Sequence, residues 1–269
     1  MKKYLKLLQY ELKTIIKDPM NRFMMIYPFM MLFIIGYVLP QIVQKTTSGM
    51  ETTGAIYTLL IGFVMSLAIG GYVMGAMLGF SLLENKDEKT ILSIAVTPIT
   101  VEGYATFKII YTYVFSIISN LIIVGGTKLL ASNQYVVNLG AGPVSLFDNL
   151  SYFQILLFAL VNSLLVPTIA LIFGAFAKNK VEGFAFVKGG GLIVMTPLLA
   201  IIPALADAKQ YILGILPNFW AIKGMLNLAL NSTHASNLNF YLYLLIGSIY
   251  SVLISILSLK VFIKKSGIK

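Results

Sequence analysis

Six apolar stretches of about 20 residues or more, parted by short polar intervals, dominate this chain: residues 23–43, 57–83, 105–130, 152–177, 188–206 and 240–263. A helix of that length crosses the hydrocarbon core of a bilayer. Lipid offers the backbone no hydrogen-bond partner, so only helices and closed barrels span it. These stretches lack the strict alternation of barrel strands. The pattern predicts an all-α membrane protein, a six-transmembrane-helix bundle forming a single transmembrane domain over residues 1–269.

Two further patterns lie outside the spans. Leu5, Leu8, Leu12 and Ile15 recur at helical spacing, with Lys2, Lys6, Gln9, Lys13 and Lys17 on the opposite face. This predicts an interfacial helix over residues 1–20, its lysines reaching headgroups, and Pro19 ends it. In residues 207–239, Tyr211 to Pro217 and Phe219 to Leu230 are apolar but too short to cross. They predict short re-entrant or interfacial helices, with Trp220, the single tryptophan, at a belt position. Residues 132–150 read as a loop rich in Gly and Asn.

Composition excludes a soluble enzyme: 58% of residues are hydrophobic, 11% are charged and the mean hydropathy is +0.87, where a soluble domain carries roughly 25% charge. The net charge of +10 is a matter of placement. Sixteen of the twenty cations fall on the side of both termini, leaving Lys45, Lys128, Lys209 and Lys223 on the other. The positive-inside rule puts both termini in the cytoplasm of a plasma-membrane protein. The basic balance therefore reads as orientation and attraction to anionic membrane lipid, with no nucleic-acid partner. The lysine-studded start, followed by a stretch long enough to span, does not read as a cleavable signal peptide.

Candidate chemistry is sparse. With no cysteine there is no disulfide, thiolate or Cys-ligated metal, and the lone His234 lies in a polar stretch. The span interiors hold almost no ionisable side chain, only Asn120, Asn162, Gln154 and scattered hydroxyls. Proton- or sodium-coupled transport is accordingly not expected. There is no phosphate loop of the G-x-x-x-x-G-K-[ST] type and no assembly for hydrolysis. The chain reads as a non-enzyme that binds neither cofactor nor metal. Gly71, Gly75 and Gly79, preceded by Gly70, recur every four residues and predict close helix packing, within the chain or across a dimer. Gly189, Gly190 and Gly191, with Pro197 and Pro203 beyond, predict an irregular fifth helix.

Residues 84–100 are the most informative. Glu84, Asn85, Lys86, Asp87, Glu88 and Lys89 stand between two long apolar runs, followed by Thr90-Ile-Leu-Ser-Ile-Ala-Val-Thr-Pro98. Thr90 or Asn85 suits the cap of a short helix, and Asp87 and Glu88 suit its positive end. Ile91, Leu92, Ala95 and Val96 share one face fit for a groove, and Pro98 ends the helix. Such a segment suits docking onto a soluble subunit, or else lying on the membrane surface.

The segment, followed by Lys108, resembles the permeases of type 2 ABC exporters. So do the N-terminal arm, read as that family's elbow helix, the run Phe173 to Phe184 and the run Ile215 to Trp220. Where the family often carries Glu-Arg-Glu, this chain has Asn85-Lys-Asp-Glu88, so partner-specific contacts do not carry over. The resemblance implies that residues 84–100 are a coupling helix, with Glu84, Asn85, Lys86, Asp87, Glu88, Lys89, Thr90, Ile91, Leu92, Val96 and Pro98 facing the ATPase. It implies a separate ABC ATPase present in two copies and carrying ATP and Mg, and a second permease, either the same chain or a sister chain. It implies export of hydrophobic or amphipathic cargo such as drugs or antimicrobial peptides, along a path drawn from spans one, two and five. Two other readings stay open. One is a lipid-acting membrane enzyme, conceivable with a metal on Glu84, Asp87 and Glu88; the other is a non-transporting immunity or sensor subunit that recruits an ATPase.

Overall fold

A computed structural model describes residues 16–46, 53–87, 101–138, 142–205, 207–232 and 234–265, together with Gln9 and Lys13. Leu5, Leu8, Leu12 and Ile15, and residues 88–100 with Glu88, Lys89, Thr90, Ile91, Leu92, Val96 and Pro98, lie outside them. Six helices are long and apolar enough to cross a membrane: Asn21–Lys45, Thr53–Glu84, Thr106–Gln134, Tyr152–Phe176, Lys180–Ile201 and Phe240–Lys265. The all-α membrane bundle read from the pattern is the architecture found.

The second span is the centre of the bundle. Of its apolar stretch 78% is buried within the protein, against 11% for the fifth span and 28% for the sixth. Its glycines set the packing: a Cβ on Gly75 would sit 2.9 Å from Cβ of Ile169, and one on Gly79 2.7 Å from the Phe173 ring. Both neighbours belong to the fourth span, so the close approach that small residues permit is made here within one chain.

The helices differ from plain rods where the sequence gives reason. The fourth span is two helices, Tyr152–Asn162 and Leu165–Phe176. Pro167 has no N–H to give, and its ring displaces the carbonyl four residues back. Carbonyls near that break are satisfied by hydroxyls: Tyr113 donates to the Leu160 carbonyl at 3.0 Å and Ser255 to that of Leu164 at 3.3 Å. The first and third spans each contain one π-helical turn, Ile34–Val38 and Leu121–Gly125. The buried Tyr135 hydroxyl reaches the Ile35 carbonyl of the first of these at 2.8 Å.

Two boundaries move. The second helix runs unbroken to Asp87, so Asn85 lies inside it and does not cap a separate one. The fifth begins at Lys180 rather than near residue 188. There the Asn179 side chain accepts from the Glu182 N–H and the Glu182 carboxylate accepts from the Lys178 N–H, both at 2.9 Å, a reciprocal cap. The three glycines consequently sit well inside a regular helix, Lys180–Val194. The irregularity follows them, as 3-10 turns at Thr196–Ile201 and Pro203–Leu205.

On the side away from the termini, a two-stranded hairpin stands where a plain loop was expected, β1 (Val136–Asn138) pairing antiparallel with β2 (Pro143–Ser145). A short 3-10 helix Asp207–Ile215 and a helix Pro217–Ala229 close the same end. There the Trp220 indole donates to the Gly214 carbonyl at 2.9 Å and Tyr211 to that of Ser236 at 2.6 Å.

Candidate functional site

Because the second span is packed on most sides while the fifth is nearly bare, the gap between them is where the bundle leaves space. A cleft of about 640 Å³ lies there. Its walls are Tyr72 and Ala76 of the second span, Ile169, Ile172 and Phe173 of the fourth, Phe186 and Ile193 of the fifth and Ile254 of the sixth, with Leu216 and Pro217 at one end. No lining residue is ionisable except Tyr72, and none comes from the first span. The sequence reading put the first span beside the second and fifth along the path.

Few polar groups reach this cleft, and each is anchored. The Tyr72 hydroxyl donates to the Val187 carbonyl of the fifth span. The Asn218 amide donates to the Val194 carbonyl at 2.7 Å, and the Thr168 and Ser255 hydroxyls pair at 2.9 Å. An apolar wall with a few oriented polar groups is the usual make-up of a small-molecule site. Such walls suit an uncharged ligand, which needs little desolvation.

Between the second, third and fourth spans lies a constellation that sequence reasoning missed. Asn162 donates to Asn120 Oδ1 at 3.1 Å and to the Leu67 carbonyl at 3.0 Å. Asn120 in turn donates to the Ser116 carbonyl at 2.9 Å and the Ser163 hydroxyl at 3.2 Å. A Cβ on Gly70 would stand 2.8 Å from Asn120 Oδ1, so only glycine lets the amide approach. The node joins the second, third and fourth spans at the break in the fourth, and Asn162 Oδ1 is buried with no partner. The signal was present as two span asparagines, Gly70 and Pro167, but nothing in the linear spacing brings 120 to 162.

The residues expected to meet an ATPase are only partly placed. Glu84 ends the second span and is paired with Lys180 at the start of the fifth, 2.8 Å apart. Asn85, Lys86 and Asp87 continue the same helix. Lys108, counted as a loop cation in the charge balance, is buried in the third span, donates to Ser81 Oγ at 2.7 Å and lies 4.8 Å from the Tyr104 ring centroid. Among the described residues no group of His, Asp and Glu is placed to hold a metal.

At the opposite end, burial pushes the Lys223 amine down to about 8. Hydrogen bonds from Ser132 and Ser145 hold the Asp148 carboxyl below its usual range. His234 is exposed, as expected of a solitary loop histidine, and meets Asp207 at 2.8 Å.

A family model described as fluoroquinolones export permease protein Rv2686c-like matches residues 11–259. Comparison with curated proteins and with solved structures gave no match.

Proposed function

The chain belongs to the Rv2686c-like family of export permeases, and from that premise we propose that it is the membrane subunit of an ATP-driven exporter of lipid-soluble or amphipathic drugs. Fluoroquinolones, flat aromatic molecules named in the family's description, are the first candidates. A separate ABC ATPase carries the ATP and Mg, two copies serving a pair of permeases that are either two of this chain or this chain and a sister. Both termini face the cytoplasm, and residues 84–100 dock on the ATPase. This chain holds no cofactor of its own.

The observation that carries the reading is the cleft. Its volume falls in the range of about 300–1,000 Å³ typical of sites for small molecules, and its walls offer contact area without fixed charge. The amphipathic peptides of the wider resemblance are larger than a cleft of about 640 Å³, which favours drug-sized cargo.

Co-purification with candidate ABC ATPase subunits tests the partner. The pair Asp87→Lys with Glu88→Lys is the informative variant, because Glu84 is engaged by Lys180 and reversing it would disturb the bundle itself. Stoichiometric ATPase with the parent chain and none with the variant is the expected result. Recovery of no ATPase with the parent chain, or equal recovery with both, would remove the docking assignment.

A further inference from the structure

The fifth span is the least buried of the six, with 11% of its apolar stretch covered, yet it forms one wall of the cleft through Ala185, Phe186, Val187, Gly189, Gly190, Ile193 and Val194. Beside the packing of Phe80 on Phe184, ring centroids 5.0 Å apart, two polar side-chain contacts tie it to the second span. At its first residue, Lys180 meets Glu84 at 2.8 Å. Seven residues on, about two turns of helix, the Val187 carbonyl accepts from the Tyr72 hydroxyl, so both ties leave the same face of the fifth span.

The glycine run has its explanation at the second tie. A Cβ on Gly190 would lie 3.0 Å from the Tyr72 oxygen and one on Gly191 3.5 Å from the ring. The Tyr72 ring is 7% exposed and packs on bare backbone there. A side chain at residue 190 would require the Tyr72 hydroxyl to give by a few tenths of an ångström, at the atom that bonds to Val187.

The two ties differ in strength. Tyr72 is buried, and its bond has no water to compete with it. The Glu84–Lys180 pair is open, with 28% and 55% of the side chains exposed, and such a pair is weak enough for a docking partner to break. Glu84 also stands at the root of the segment proposed to dock. A partner that pulls on residues 84–100 therefore acts first on the clasp it can release.

We propose that Tyr72 and the Glu84–Lys180 pair are positioning groups that hold the fifth span over the cleft, and that engagement of the ATPase releases the Glu84–Lys180 clasp and opens the cleft. The regulatory half rests on the docking reading given above; the clasp itself does not. Tyr72 then sets the resting width of the cleft, and the ion pair links that width to the ATPase side.

The chain has no cysteine, so a single introduced thiol reports on the cleft without background. Ala76 lines it and is 2% exposed. The full chain carrying Ala76→Cys, in lipid nanodiscs, is reacted with a small uncharged maleimide. Added Tyr72→Phe, or added Lys180→Met, which leaves the charges of the docking segment intact, raises the labelling rate about fivefold or more by shifting the closed–open balance. The exchange of Glu84→Lys with Lys180→Glu returns the rate to that of Ala76→Cys alone. Bound ATPase raises the Ala76→Cys rate and adds little on top of Lys180→Met. A melting temperature on each sample separates release of one span from unfolding.

Labelling rates in Tyr72→Phe and in Lys180→Met that stay within twofold of the rate of Ala76→Cys alone would overturn the proposal, as would a charge exchange that leaves the rate high. ATPase binding is scored on the same preparations. If the variants open the cleft but no ATPase binds, the clasp stands and the docking reading falls. If the ATPase binds and the labelling rate does not move, the clasp's link to the partner falls.

Discussion

Asn162 shows how a residue can be visible in a sequence while its role is not. Its presence in an apolar run is plain, but its bond to Asn120 at 3.1 Å depends on how three helices meet. Hydrogen bonds between spanning helices average well under those of isolated models, at about 0.6 kcal/mol with values to about 1.7. Asn162→Leu removes the donor to Asn120 and also an unpartnered oxygen, so the two effects partly offset. The variant should lose about 0.5–1.5 kcal/mol in detergent unfolding; a gain in stability would show that the node is maintained for something other than packing. Lys223 gives a prediction of opposite sign. Burial favours its neutral amine, so the folded value, about 8, lies below the unfolded value of about 10.4. Between them the unfolded chain binds the extra proton, and stability rises with pH across that window. Below about pH 8 the penalty for the buried charge is complete. Lys223→Met should therefore stabilise the protein at pH 7, and the gain should shrink from pH 8 upward and vanish above about pH 10.4. One pKa unit is about 1.4 kcal/mol, and screening of the partly exposed amine brings the gain at pH 7 to about 1–2 kcal/mol. Thermal unfolding at pH 7, 9 and 10.5 follows it.

At the scale of elements, hydrophobic length alone found all six spans, since a run of apolar residues in lipid has no alternative to helix. The ends were less legible. The fifth helix starts eight residues before the expected boundary because Asn179 and Glu182 cap it across polar sequence, and local caps outweigh a hydropathy edge. The break at residues 163–164 was written in Pro167, but a proline inside a span can also kink without breaking, and the neighbouring hydroxyls of Tyr113 and Ser255 help make a full break tolerable. The glycines of the second span signalled close packing, with the partner left open between this chain and another. Ile169 and Phe173 of the fourth span take the places against Gly75 and Gly79. The glycines of the fifth span were expected to make the helix irregular; it runs regularly through them, and two of them are the bed of a tyrosine ring. Residues 84–100 are proposed as a docking segment on their chemistry and the resemblance, and Glu84 at their start is placed in an ion pair with Lys180. That pair, as a partly exposed contact, is worth about 0.2–1 kcal/mol, a size that protein docking readily overcomes.

For the whole molecule, the scarcity of ionisable groups in the apolar runs, with Lys108 buried in the third span as an exception, was the widest-reaching reading. It pointed away from gradient-driven transport, and the walls of the cleft carry no fixed charge. What composition left hidden was the arrangement: a central second span, a bare fifth one, and a space between them. The central claim is that this cleft receives cargo whose export an ATPase drives. The direct measurement is ATP-dependent uptake of a fluoroquinolone into inside-out vesicles holding this chain and its ATPase, with Gly189→Phe as the probe. Gly189 lines the cleft and has nothing within 4 Å of where its Cβ would stand, so a ring there is a suitable probe of the space. The account predicts uptake that needs both proteins and ATP, and that Gly189→Phe lowers by about tenfold or more, the equivalent of about 1.4 kcal/mol of lost binding, while ATPase co-purification is unchanged. Uptake that proceeds without this chain, or that Gly189→Phe leaves at the parent rate, would contradict it.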